Sequence, residues 1–178
     1  KDYIGYLDTF LPFHPHGIYQ HGKINPEPYY EQLCLFFNQL EILFDKKVII
    51  LAHPRSNYKS SGCFQGREIV TGQTIEGVKD SLFVLCEHSA SLSNAVLFSK
   101  PVSFIVMDIL SGTLYENAIK NNASSLNANP IYISDLNAMN KSDFTNFDKN
   151  SYSHYKRDFI KKPGTLEKPL WSIVENYF

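Results

Sequence analysis

Apolar positions along the chain fall into two kinds of segment. Short runs that are apolar but for Ser103, Val48–Ala52, Leu82–Cys86 and Val102–Met107, have the length and continuity of strands buried on both faces. Tyr3–Asp8 reads as a further strand that ends on an acidic residue. Between the first two strands, Tyr30, Leu33, Phe37, Leu40 and Phe44 step by three and four. That spacing makes one apolar stripe of a helix, and Pro28 suits its first turn because no N–H is needed there. Shorter helices are predicted at Thr74–Lys79, Ser89–Ser99 and Leu114–Lys120, with a short strand at Ile131–Ser134 and two terminal helices, Tyr155–Lys161 and Leu170–Tyr177. Strands alternating with helices predict an α/β chain: a Rossmann-like parallel sheet with helices on both faces.

The remaining segments are polar or rich in Pro and Gly. Thr9–Pro28 and Arg55–Gln73 read as loops. The Asn, Ser and Asp content of 137–153 predicts a mobile surface linker, with residues 154–178 as C-terminal helices. A length of 178 residues fits one domain spanning 1–178. A formal net charge of −1 gives no electrostatic footprint for nucleic acid, and no apolar run has the length of a membrane span. Lys1-Asp2 leads into an aromatic segment, which does not resemble a signal peptide. The three cysteines, Cys34, Cys63 and Cys86, form no CxxC pair. They read as free thiols in a reducing, cytoplasmic setting.

In an open parallel sheet, ligands bind beyond the carboxyl ends of the strands. This directs attention to Asp8, to His53-Pro54-Arg55 and to the stretch from Glu87 to Ser93. In that stretch, Ser89, Ser91 and Ser93 with His88 open a predicted helix, where backbone N–H groups and hydroxyls favour a phosphate. A serine acting only as an N-cap is the plain alternative. Pro54 forces the chain out of the sheet and can aim His53 into the crevice, although a solvent-facing histidine at a turn is equally compatible with a His-Pro pair. Arg67 can neutralise a phosphate, or sit in an ordinary ion pair. Asp8 can orient a sugar or serve as a base, or simply cap the loop that follows it. His14, His16 and His21 lack a fourth ligand and a rigid scaffold, so no metal is expected.

His53-Pro54 followed by His88-Ser89-Ala90-Ser91 resembles the paired His-Pro and Ser-Ser/Thr motifs of bacterial GT-B sialyltransferases and related Kdo transferases. Gly66-Arg67, Gly72-Gln73-Thr74, Lys79-Asp80-Ser81, the segment 95–101, the segment 152–161 and Pro169-Leu170-Trp171 are similar to capsule and lipopolysaccharide glycosyltransferases of that kind. Ala90 departs from the pattern, standing where Ser or Thr is usual. The resemblance implies a donor-binding half of a GT-B architecture that takes a CMP-sugar as substrate, with no separate cofactor. His53 and the serines would contact the phosphate, and sialic acid or Kdo would pass to a bacterial glycan or glycolipid acceptor. It implies a cytoplasmic location, extending to the inner face of the inner membrane. With one Rossmann-like domain and no initiator Met, the chain is expected to belong to a longer enzyme whose N-terminal acceptor domain is absent, and to be inactive alone. Two rivals make different predictions. A UDP-sugar epimerase or transferase prefers UDP, and a non-catalytic interaction domain binds no nucleotide.

Overall fold

Four of the predicted strands form over most of their length: β1 (Ile4–Leu7), β2 (Val48–Leu51), β4 (Phe83–Cys86) and β5 (Val102–Val106). They belong to a computed structural model that describes residues 2–15, 24–58 and 62–175. Two short strands complete the sheet, β3 (Ile69–Val70) and β6 (Ile131–Tyr132). All pairings are parallel and the order is β3-β2-β1-β4-β5-β6. The chain is therefore an α/β protein of Rossmann-like architecture. Strand order grows outward from β1 in one direction and from β4 in the other, so the topological switch point lies between β1 and β4.

Side chains alternate across the sheet, and β1 shows which helices cover which face. Tyr6 packs on Phe37 of α1 (Pro26–Phe44), its ring 5.1 Å away. Tyr3, of opposite parity, donates its hydroxyl to the Gly77 carbonyl of α2 (Thr74–Asp80) at 2.8 Å. The expected stripe of α1, Tyr30, Leu33, Phe37, Leu40 and Phe44, is buried throughout, at about 1.5–3 kcal/mol for each large apolar side chain. Helix α1 starts at Asn25, whose side chain caps the Glu27 N–H, with prolines in the first turn. It ends at Asp45 in the left-handed region, φ 54°. On the second face α2 packs against α3 (Leu92–Leu97). Helix α4 (Leu114–Ser125) precedes β6 and runs further than its predicted end at Lys120.

Three expectations need correction. The segment 55–73 is more than a loop, since it carries β3 and buries Tyr58 and Phe64. The predicted linker 137–153 holds α5 (Lys141–Thr145) and most of α6 (Lys149–Tyr155). Its Phe144 is completely buried between Phe44 and Phe83, and Tyr152 donates to the Lys100 carbonyl. Two aromatic anchors outweigh a polar average, because the intervening polar residues simply face water. The predicted helix Tyr155–Lys161 is instead the end of α6 followed by a wider, π-type turn at Lys156–Ile160; α7 (Leu170–Val174) follows it. Among the described residues, no helix is long and apolar enough to cross a membrane.

Candidate functional site at the switch point

The residues that follow β1, β2 and β4 meet at one edge of the sheet. Asp8, one step beyond the last paired residue of β1, is 4% exposed. Its Oδ1 accepts the Phe10 N–H at 2.9 Å and its Oδ2 accepts the His53 N–H at 2.9 Å. The Tyr58 hydroxyl donates to both oxygens, at 3.0 and 2.9 Å. Burial raises the Asp8 carboxyl above its ordinary range, opposed by those N–H and O–H donors. With both oxygens occupied, Asp8 ties the end of β1 to the end of β2. That geometry makes it a positioning group, in line with the loop-capping reading of Asp8.

Phe10 follows in the left-handed region at φ 54°, a conformation uncommon for a bulky residue. The Asp8 carboxylate holds the turn, and the Phe10 ring lies nearly parallel to the His53 ring, 6.4 Å away at 12°. The His14 ring meets His53 edge-on at 5.3 Å. His53 is partly buried, and its Nδ1 accepts the Arg55 N–H at 3.1 Å. An imidazole nitrogen that accepts carries no proton, so in the neutral ring the proton sits on Nε2. His53 is thus set as an Nε2–H donor. Pro54 is exposed in the turn that makes this possible.

On the other side of the switch point, Glu87 follows β4 directly and is 1% exposed. Its carboxylate accepts from three hydroxyls: Thr9 at 2.7 Å, Tyr6 at 3.1 Å, and Tyr29, which reaches both oxygens at 2.9 Å. Burial raises the carboxyl to about 7, against the pull of these donors, and the nearby Asp8 adds to the rise. Sequence position did signal this residue. Register pairs Leu85 with Tyr6, so alternation puts Glu87 on the face of Tyr6 and α1. The tyrosine partners come from α1 and β1 and were not recognisable without the fold.

The serine turn is built differently from its prediction. The Ser89 side chain accepts the Ser91 N–H at 3.2 Å, and the Ser89 carbonyl accepts the Leu92 N–H. This local turn displaces the first part of the expected helix Ser89–Ser99, so α3 starts at Leu92 and runs for six residues. Ser99, at φ 53°, lies beyond its end. A helix so short contributes little dipole, and any anion would be held by the turn itself. Ser89 and Ser91 are partly buried at its start, and His88 is exposed beside them. Ser93 points elsewhere, pairing with the Tyr155 hydroxyl at 3.5 Å.

Arg67 is not part of this edge. It precedes β3, at the amino ends of the strands, with NH2 2.8 Å from Glu41 and further bonds to Asn38 and the Phe64 carbonyl. Glu41 also accepts the Val48 N–H that opens β2. Arg67 therefore lines an open groove of about 740 Å³ on the opposite edge, held in an ion pair with Glu41, the second of its two readings. His16 and His21 lie outside the described residues. Among those that are described, no three His, Cys, Asp or Glu side chains converge as a metal site would require. Cys34 and Cys86 are buried free thiols, and burial pushes the Cys86 thiol up to about 12. Compared with protein-family models, curated proteins and solved structures, the chain matches none.

Proposed function

We propose that this chain is the donor-binding unit of a GT-B glycosyltransferase that uses a CMP-activated sugar. The observation that carries the reading is that the His53–His14 pair, after β2, and the Ser89 turn, after β4, stand at the same carboxyl edge on either side of β1. His53 presents Nε2–H, and the Ser89 hydroxyl, whose oxygen already accepts from Ser91, still has its own proton to donate. Asp8 holds the His53 backbone in place, and Phe10 stacks on its ring.

When the sugar leaves, negative charge grows on the CMP phosphate. Donors fixed in advance stabilise that charge more than the ground state, which is where catalytic gain arises. His53 and Ser89 are the groups assigned that task, and Asp8 and Phe10 keep His53 from having to reorganise. In this reading sialic acid or Kdo passes to a bacterial surface glycan or glycolipid held by a second domain. The work is done on the cytoplasmic side of the membrane.

The site assignment is tested by adding CMP to isotope-labelled protein and following backbone amide resonances. Shifts concentrated at Phe10, His53, Ser89 and Ser91 support it. Shifts concentrated at the Arg67 groove, or spread evenly over the surface, overturn it.

A further inference from the structure

Glu87 is a buried carboxyl that the transfer reaction does not use, yet it lies between the two turns that form the site. Thr9 donates to it from the turn after β1, Tyr6 from within β1 and Tyr29 from α1, while Glu87 itself opens the turn that leads to Ser89. Thr9 is flanked by Asp8 and Phe10, and Asp8 accepts the His53 N–H. A continuous path therefore runs from the Glu87 carboxylate through Thr9 and Asp8 to His53. We infer that Glu87 is the positioning residue of the switch point, and that its ionised form clamps the His53 and Ser89 turns in the geometry that binds an anion.

Every hydrogen bond that reaches the Glu87 carboxyl favours its ionised form. Three hydroxyls aim at the two oxygens, and the Tyr6 and Tyr29 hydroxyls are also 3.2 Å apart. A proton taken from solvent turns one carboxyl oxygen into a donor, and the hydroxyl aimed at that oxygen has to rotate away or become an acceptor. Thr9 is the partner that connects to Asp8, so its displacement reaches the His53 N–H. The titratable groups facing Glu87 are Asp8 after β1, Tyr6 in β1, Tyr29 and Tyr30 in α1, Cys86 beside it in β4 and Tyr115 in α4. The tyrosine and cysteine groups are all raised by burial and stay neutral near neutrality, and burial raises the Asp8 carboxyl too, opposed by its N–H and O–H donors. Burial brings the Glu87 carboxyl to about 7, so its charge changes across neutrality.

A purely structural role would be served as well by glutamine, which fills the same volume without a buried charge. The clamp makes a different prediction. One pH unit below its midpoint, about a tenth of Glu87 remains ionised, so apparent affinity for an anion falls about tenfold if only that form is competent. This inference rests on the donor-site reading for the identity of its ligand, and on the hydrogen bonds alone for its geometry.

The experiment is an NMR titration of the ligand-free chain, following the Glu87 carboxyl carbon with the Phe10 and His53 amides, paired with CMP affinities at about pH 6 and about pH 8. Expected is one shared midpoint near 7 for all three probes, absent from the amides of Glu87→Gln. The loss of CMP affinity at the lower pH should be about tenfold greater in the native protein than in Glu87→Gln. CMP's own phosphate titration is common to both proteins and cancels. Tyr29→Phe, which removes one donor and keeps the ring, should move the midpoint up by about one pH unit, and it carries the test if Glu87→Gln fails to fold. Amides that do not follow the Glu87 carboxyl overturn the inference, as does a pH profile unchanged by either substitution. Failure to bind CMP with the shared midpoint intact overturns the donor-site reading and supports the clamp.

Discussion

At the scale of single residues, two buried carboxylates organise the site and behave differently. Asp8 is satisfied by two backbone N–H groups and a tyrosine hydroxyl. Asp8→Asn places an NH2 against at least one of those donors, and an unsatisfied buried group costs about 1–3 kcal/mol. The expected outcome is a lower urea midpoint together with weaker CMP binding; Tyr58→Phe should lower stability less, since the two N–H partners remain. Glu87 has a sign of its own. Its folded carboxyl is raised from 4.5 to about 7, so the folded state takes up the proton more readily than the unfolded chain. The stability tied to that proton is present in full below the unfolded value and is lost as pH rises through about 7. The loss is on the order of 3 kcal/mol. Urea unfolding across that interval should show a decline in the native protein that flattens in Glu87→Gln. An equal decline in both proteins would place the titration elsewhere. Neither role was visible from residue type, because a strand end announces that Asp8 and Glu87 are near a crevice but not which donors reach them.

Elements were legible where their own period decided their fate. The runs at Val48, Leu82 and Val102 and the stripe of α1 needed no partner to be recognised, since both faces of these strands and one face of the helix are buried. The two-residue strand β3 carries too little pattern to read alone and exists because β2 offers it an edge, whereas β6 falls within the predicted strand Ile131–Ser134, of which only Ile131 and Tyr132 pair with β5. The serine turn shortened α3 for a reason of local chemistry, the Ser89 side chain capturing the Ser91 N–H. Two substitutions test how elements are held. At Gly77 in α2, an added Cβ would lie 2.4 Å from Cδ2 of the buried Leu51. Gly77→Ala should therefore cost about 1–3 kcal/mol of overpacking despite alanine's better helix propensity. Phe144→Ala opens a cavity beneath α5 and should cost about 3–5 kcal/mol. A near-neutral result at Phe144 would restore the reading of 137–153 as a loose linker.

At the scale of the whole molecule, the parallel sheet was predictable from the alternation of strands and helices, and its switch point lies between β1 and β4. The same order places Arg67 away from His53, because the parallel connection returns the chain to the opposite edge before β3 begins. The central claim, a CMP-specific donor site centred on His53, is tested most directly by calorimetric titration of the chain with CMP, UMP and UDP, repeated with His53→Ala. CMP should bind in preference to both uridine nucleotides, and His53→Ala should weaken it by about tenfold or more, the loss of one charge-assisted hydrogen bond. A preference for UDP, binding indifferent to His53, or no nucleotide binding at all would contradict it.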